Sequence, residues 1–217
     1  MSRDKVLLSV AIITKNEEKR LPDCLKSVEF ASDIVVVDSG STDRTVEIAR
    51  SFNCRVFIEE WKGHGPQKDS AVRKCAYDWV LLLDADERLP EITRQEIIEV
   101  LTNPIADVYS FPRKNYLHGK WIKHSDWWPD RQTRLFKKNT GRFEGAIHSD
   151  WTTSSTIKRL NAPIEHYSFP DYSSMLKKLD EYSTAIAKEL AAAGKRANLF
   201  SPLLHGMGMF FKTYILK

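Results

Sequence analysis

The stretch from Trp79 to Glu87, WVLLLDADE, constrains this chain more than any other. Five apolar residues read as a strand buried on both faces, and Asp84, Asp86 and Glu87 follow at once. Such a run suits the middle of a parallel sheet. The carboxyl end of a central strand borders the crevice in which open α/β sheets take their ligands, so Asp84 and Asp86 are placed to hold something. If the chain stays extended there, the side-chain period of two sends both carboxylates to the same side. Paired hard oxygen donors suit Mg²⁺ or Mn²⁺, ions usually held by one or two carboxylates plus substrate phosphates. The spacing alone is weak, because fifteen aspartates in 217 residues give roughly one Asp-x-Asp by chance.

The context is a regular alternation. Val6 to Ile13 reads as a first strand, left by the polar loop Thr14-Lys15-Asn16-Glu17. Leu21, Cys24, Leu25 and Val28 recur at helical spacing. Ile34 to Val37 reads as a second strand, ending in a turn from Asp38 to Asp43 whose residues suit a helix N-cap. Val46, Ala49 and Phe52 give the next helix its buried side, and Cys54 to Ile58 forms a third strand. Pro66 suits a helix start after the glycine-containing loop, and Ala71, Val72, Cys75 and Ala76 continue toward Trp79. Strand and helix alternating in this way predict an α/β fold, a mostly parallel sheet with helices on both faces.

The phosphate-cradling glycines of other nucleotide folds are absent. No GxGxxG follows the first strand and no GxxxxGK[ST] occurs, which disfavours a dinucleotide dehydrogenase or a P-loop enzyme. Phosphates must then be neutralised by a metal ion and basic side chains. The charge is divided accordingly: residues 1–110 carry 15 Lys+Arg against 20 Asp+Glu, and residues 111–217 carry 18 against 9. An acidic half fits a site completed by a cation, and a basic half fits an anionic acceptor or membrane surface, although solvated faces would look the same. Cys24, Cys54 and Cys75 form no CxxC and lie within apolar patterns, as core thiols of a reducing cytosol do. No signal peptide is expected at the N-terminus, and nothing points to nucleic acid.

Four blocks, SVAIITKNEEKRLPDCLKSV, IVVVDSGSTDRTVEIA, GHGPQKDSAV and WVLLLDADE, in this order and at these intervals, closely resemble family 2 glycosyltransferases of the GT-A fold. The resemblance is strong over residues 8 to about 90. Within that superfamily, WWPDRQTRLFKKNTGRFEGAIHSDW and the tail from HYSF to FFKTYILK look like small bacterial transferases of lipopolysaccharide core assembly, which add a hexose, often β-linked glucose. The resemblance implies a Rossmann-like GT-A sheet with a C-terminal acceptor-side region ending in helices. It also implies a nucleotide-diphosphate sugar, UDP-hexose above all, as donor and a glycolipid as acceptor.

Residue by residue, the resemblance implies that Thr14, Asn16 and Glu17 frame the nucleotide and that Asp38 hydrogen-bonds the nucleobase. Gln67 and Lys68 match the polar and basic pair near base and phosphates. Asp84 matches the first carboxylate of the family's DxD, toward ribose and metal, and Asp86 the second, which binds Mg²⁺ or Mn²⁺ directly. Each has a plainer alternative: Asp38 and Asp43 as helix caps, Lys68 as a solvated helix residue, Glu17 as surface.

In the second half, Asp107 to Phe111, Asn115 to Ile122, Thr133 to Phe136 and Arg142 to Ile147 read as strands. Trp121, Trp127 and Trp128 lie close to Asp130, and rings beside a carboxylate suit stacking on a sugar face, though tryptophans are as often core. Asp130 is the expected catalytic base. It also matches the Pro-Asp that precedes the Arg-Leu-Phe strand in the similar transferases, and Glu144 is the second candidate. A late histidine completes the metal shell in some GT-A enzymes, and His148 is the candidate here, although Ser149 stands where related sequences carry glutamate.

From Tyr172 to Leu190 an apolar stripe at helical spacing, closed by Gly194, predicts a long helix that packs into the core. Leu199 to Lys217 is apolar but interrupted by Pro202, His205 and Lys212, too broken to span a bilayer and apolar enough to lie on one. The chain stops without a polar tail, as a truncated one would. The expected organisation is a single domain with a nucleotide-binding half (1–110), an acceptor-side half (111–170) and C-terminal helices (171–217). The expected location is the cytoplasmic face of the inner membrane. A nucleotidyltransferase, a retaining transferase, a transferase with another glycan or a protein as acceptor, and an inactive sugar-nucleotide binding module stay open as alternatives.

Overall fold

The computed structural model describes residues 5–124, 127–144, 150–195 and 200–214. Its first part realises the alternation: β1 (Val6–Thr14), α1 (Leu21–Ser27), β2 (Ala31–Asp38), α2 (Thr45–Ser51), β3 (Arg55–Ile58), α3 (His64–Arg73) and β4 (Trp79–Asp84). The strands lie in the order β3-β2-β1-β4 and all run parallel. β5 (Glu87–Arg88) and α4 (Glu91–Thr102) follow β4. The period of two divides the apolar residues between the two faces of the sheet. Val10, Ile12, Leu81 and Leu83 join Leu21 and Leu25 of α1 and Ile97 of α4 in one core. Ala11, Val35, Val37, Val80 and Leu82 join Ala71, Val72 and Cys75 in the other. Because both faces are covered, Val80 to Leu83 are all fully buried and the strand has no polar alternate position.

Beyond α4 come β6 (Val108–Leu117), β7 (Lys120–Trp121), β8 (Asp130–Lys137), β9 (Gly141–Glu144), β10 (Asp150–Thr153), β11 (Ile157–Arg159) and β12 (Ile164–Phe169). The sheet continues past β4 in the order β8-β6-β12-β5, while β9 and β10 form a separate antiparallel pair. β8 runs antiparallel to β4, with Leu81 opposite Leu135. Residues early in β8 are thereby carried toward the carboxyl end of β4, which matters for the site below.

The continuous strand expected from Asn115 to Ile122 is instead a hairpin: Tyr116 pairs with Trp121 and Leu117 with Lys120. His118 (φ 48°) and Gly119 (φ 72°) make its two-residue turn, and positive φ at both central positions matches the right-handed twist of the flanking strands. The long helix α5 (Tyr172–Ala192) is present and ends as expected: Gly194 has φ 73° and the Lys195 N–H reaches back to the Leu190 carbonyl. Its stripe is not core, however, since Tyr172, Leu176, Leu179 and Leu190 are all exposed. α6 (Ser201–Tyr214) likewise exposes Leu203, Leu204, Met207, Phe210 and Phe211. Among the described residues no helix is long and apolar enough to cross a membrane.

The chain forms two compact units. One comprises residues up to Arg113 together with Arg131–His166, and the other Lys114–Asp130 together with Tyr167 onward.

Candidate active site

The site grows from the level ends of three parallel strands in the first unit. Thr14 pairs with Asp38, and Ile13 with Asp84, so β1, β2 and β4 finish at one edge. The loops that leave this edge are laced together. Asn16, at φ 56° in the left-handed region that asparagine tolerates, donates its N–H to Ser41 Oγ and accepts the Thr42 N–H on Oδ1, each at 2.8 Å. The Glu17 N–H reaches Thr45 Oγ1 at 2.7 Å, and the Glu18 N–H reaches Asp43 Oδ2 at 3.1 Å. Asp43 also accepts the Thr45 N–H at 3.0 Å, which is the helix-start role open to it in the sequence.

Asp38 is almost wholly buried and fully engaged by its own neighbourhood. Oδ1 accepts the N–H groups of Gly40 (3.0 Å) and Ser41 (2.8 Å), while Oδ2 accepts the hydroxyls of Thr14 (3.0 Å) and Ser41. The carboxylate therefore builds the turn after β2. On the first turns of α3, Gln67 is fully buried. Its Oε1 accepts the Lys62 N–H at 3.3 Å, and its Nε2 has no partner among the described residues. Such an orphaned buried amide is costly unless something outside the chain satisfies it.

The acidic stretch after β4 does not stay extended. Residues 85–86 form a turn, closed by the Asp84 N–H donating to Glu87 Oε2 at 3.1 Å. Asp84 and Asp86 consequently face different partners rather than one side. Asp84 lies between Lys68 Nζ (3.3 Å to Oδ1) and Arg134 Nη2 (2.7 Å to Oδ2). Asp86 lies between His166 Nε2 (3.4 Å to Oδ1) and Arg20 Nη1 (3.5 Å to Oδ2). Arg134, 3% exposed, also reaches Glu87 Oε1 at 2.6 Å, and Arg113 Nη1 reaches the same oxygen at 3.0 Å. Arg20 grips Glu17 through two contacts of 2.7 Å.

Burial pushes the Asp84 carboxyl upward, but Lys68 and then Arg134 outweigh it and hold the group well below the usual carboxylate range. Asp86 is also lowered: burial and the Asp84 charge push it up, and His166 foremost, with Arg20, pulls it down. Both are acceptor-only carboxylates at neutral pH.

A divalent cation fits this donor set in one form. Among the described residues no three His, Cys, Asp or Glu side chains converge on one point. The chain offers Asp86, whose contacts at 3.4 and 3.5 Å are looser than a charge-assisted bond, and beside it the His166 imidazole. An ion with so few protein ligands is one completed by substrate phosphates and water.

In the second unit, Asp130 opens β8 and accepts the Asn115 amide on Oδ2 at 3.0 Å; the same amide donates to the Trp127 carbonyl at 3.1 Å. The same unit holds three aromatic pairs: Trp121 meets Trp128 edge-on, Trp127 meets Phe169, and Tyr116 stacks on Tyr167. Glu144 is the last residue of β9, in register with Asp150. His148 lies outside the described residues.

Arg20, Arg113, Arg134 and His166 were not among the residues singled out from the sequence. Arg134 carried a signal: an arginine inside an otherwise buried strand, TRLF, needs a carboxylate partner. His166 carried none, since its place beside Asp86 depends on β12 pairing with β5, where His166 stands opposite Glu87.

A parallel sheet that gathers carboxylates, cations and an orphaned amide at its carboxyl edge, without a glycine-rich loop, defines an α/β protein of the GT-A class. The chain belongs to glycosyl transferase family 2, whose family model matches residues 9–160. It is 32% identical to an uncharacterized glycosyltransferase of Rickettsia conorii over 97% of this chain and 79% of that one. It is 29% identical to the lipopolysaccharide core biosynthesis glycosyltransferase LpsC of Rhizobium meliloti over 96% of this chain and 82% of the relative. Among solved structures, glucosyl-3-phosphoglycerate synthase from Mycobacterium tuberculosis, in complex with Mn²⁺, UDP and glucosyl-3-phosphoglycerate, superposes with a TM-score of 0.57. That match covers 88% of this chain and 81% of the other at 17% identity.

Proposed function

We propose that the protein is an inverting, metal-dependent hexosyltransferase. It moves a hexose, glucose in the first instance, from UDP-hexose to a hydroxyl of a lipopolysaccharide core or another surface glycolipid on the cytoplasmic side of the membrane. The observation that carries this reading is the cluster at the end of β4, carboxylates and cations together at the ligand edge of a family 2 sheet. The relative named for lipopolysaccharide core biosynthesis supports the acceptor class, and the structural neighbour solved with UDP and Mn²⁺ supports the donor and the ion.

In this reading Thr14, Asn16, Glu17 and Asp38 hold the loops that frame the nucleotide, and Gln67 offers its unpartnered amide to the base. Lys68 faces the phosphates. Asp84 stands toward the ribose and the ion, and Asp86 would hold Mg²⁺ or Mn²⁺ directly, with His166 beside it in the part for which His148 was the candidate in the sequence. A bound Mg²⁺ or Mn²⁺ supplies Lewis-acid charge for the departing diphosphate. The acceptor oxygen forms a bond to the anomeric carbon on the face opposite the bond that breaks, whose electron pair leaves with the nucleotide diphosphate. Asp130, held by Asn115, takes the proton of the acceptor hydroxyl, and Glu144 is the second candidate. The basic second half and the exposed apolar side chains of α6 serve contact with an anionic membrane.

The test is a panel of labelled nucleotide sugars offered with truncated lipopolysaccharide acceptors, with product linkage read by NMR. Metal-dependent transfer with inverted configuration is expected. A retained linkage, transfer of a nucleotidyl group, or tight UDP-hexose binding without any transfer to these or other glycan acceptors would overturn the reading in favour of the corresponding alternative.

A further inference from the structure

The carboxylates around the end of β4 are matched by cations of the chain itself. Asp84, Asp86, Glu87 and Glu17 are paired with Lys68, Arg134, Arg113 and Arg20, and every pair is at least partly shielded from solvent. Entry of a divalent cation alone brings uncompensated positive charge into this balanced cluster, and entry of a nucleoside diphosphate alone brings the reverse. The two together nearly cancel.

The cations differ in their freedom to move. Arg134 is forked between Asp84 and Glu87 at 2.7 and 2.6 Å, and Arg20 holds Glu17 by two contacts of 2.7 Å. Lys68 makes one ion pair among the described residues, to a single oxygen of Asp84 at 3.3 Å, with its ammonium 5.8 Å from the Phe143 ring. Its flexible stem carries a point charge with no fork to lock it. Lys68 is also only 7% exposed, and among the described residues Asp84 is its one charged partner.

Building on the metal-dependent UDP site proposed above, we propose that the Lys68 ammonium is a built-in counter-ion that neutralises Asp84 in place of the charge of a divalent cation held at Asp86. It surrenders the carboxylate when a nucleoside diphosphate draws the ammonium onto its phosphates. Metal and nucleotide then bind as a pair, and Lys68 is the residue that sets the coupling between them. Because the coupling is a binding free energy it is reciprocal: UDP tightens the metal by the same factor as the metal tightens UDP.

The experiment titrates Mn²⁺ into the full chain by EPR of the free ion, with and without saturating UDP, and titrates UDP by calorimetry with and without Mn²⁺. Wild type, Lys68→Met, Lys68→Gln and Lys68→Arg are compared after their melting temperatures establish that each is folded. The expected results are weak Mn²⁺ binding to the wild type alone and a gain of about tenfold or more on adding UDP. Lys68→Met and Lys68→Gln should bind Mn²⁺ alone about tenfold tighter than wild type and UDP more weakly, with the coupling factor reduced. Lys68→Arg, which keeps the charge, should keep the weak Mn²⁺ binding. Unchanged Mn²⁺ affinity in the folded neutral variants, with UDP and Mn²⁺ still binding together in the wild type, overturns the counter-ion role alone. If the wild type fails to bind UDP even with Mn²⁺, the nucleotide reading beneath it falls as well.

Discussion

Asp86 is the carboxylate on which the proposed chemistry depends most, because among the described residues its oxygens are held by contacts of 3.4 and 3.5 Å while those of Asp84 are engaged more firmly. Calorimetry of UDP binding with Mn²⁺ should show Asp86→Ala weakened by about tenfold or more. Equal affinity with Mn²⁺, with EDTA and in the variant would remove the ion from the site. Asp38 calls for a different expectation. Its four acceptor contacts lie within the chain, so Asp38→Ala should unfold more easily in urea, by ~3 kcal/mol, because the Thr14 and Ser41 donors lose a buried acceptor. A variant of wild-type stability with weakened UDP binding would instead assign Asp38 chiefly to the base. For Asp130, Asp130→Asn should keep UDP affinity and lower transfer by about 10² to 10⁴. If its rate is unchanged while Glu144→Gln loses transfer, the base is Glu144.

Among the elements, the amino-terminal half of the parallel sheet is tied by one carboxylate. Asp33 of β2 accepts Ser9 Oγ from β1 at 2.7 Å, the Arg55 guanidinium from β3 at 2.8 and 2.9 Å, and the Ala76 N–H before β4 at 2.9 Å. Burial raises its pKa, but Arg55, Ala76 and Ser9 outweigh it and hold the carboxyl below the ordinary aspartate value. A depressed folded pKa means stability that is present above the unfolded value and is lost as pH falls through the folded one. Denaturant titrations should therefore show wild type losing more stability than Asp33→Asn between pH 5 and strongly acidic pH. At pH 7 the variant should already be weaker by ~2 kcal/mol. Identical pH profiles would assign the acid sensitivity to other carboxylates. The β6–β7 hairpin shows no local break in the sequence: Tyr116-Leu117 and Trp121-Ile122 suit strands on either side, and the reversal at His118 and Gly119 is a matter of two positive φ angles. His-Gly is a less familiar form of the turn signal than Asn-Gly.

For the whole molecule, the apolar side chains left exposed on α6 are the feature that a water-soluble surface explains least, since Leu203, Leu204, Met207, Phe210 and Phe211 occur within a helix that carries no acidic residue. Vesicle sedimentation should show binding to anionic lipid that falls on Leu204→Ser/Phe210→Ser/Phe211→Ser, with little binding to neutral vesicles. Equal binding by wild type and variant would leave the membrane contact elsewhere.

The order of strands and helices up to Asp86 was legible in the sequence, because a strand buried on both faces must be apolar throughout and each helix must show its buried side at the helical period. The acidic end of β4 was legible for the same reason: carboxylates that follow a buried run have only the sheet edge to occupy. What holds those carboxylates was decided by the tertiary structure. Arg134 reaches Asp84 because β8 runs antiparallel to β4, and His166 reaches Asp86 because β12 pairs with β5. These pairings join residues 50 and 80 positions apart along the chain, and no local period records them. The turn at residues 85–86, which sends Asp84 and Asp86 to different cations, was likewise set by the Glu87 side chain closing on the Asp84 N–H, a contact that pattern cannot express.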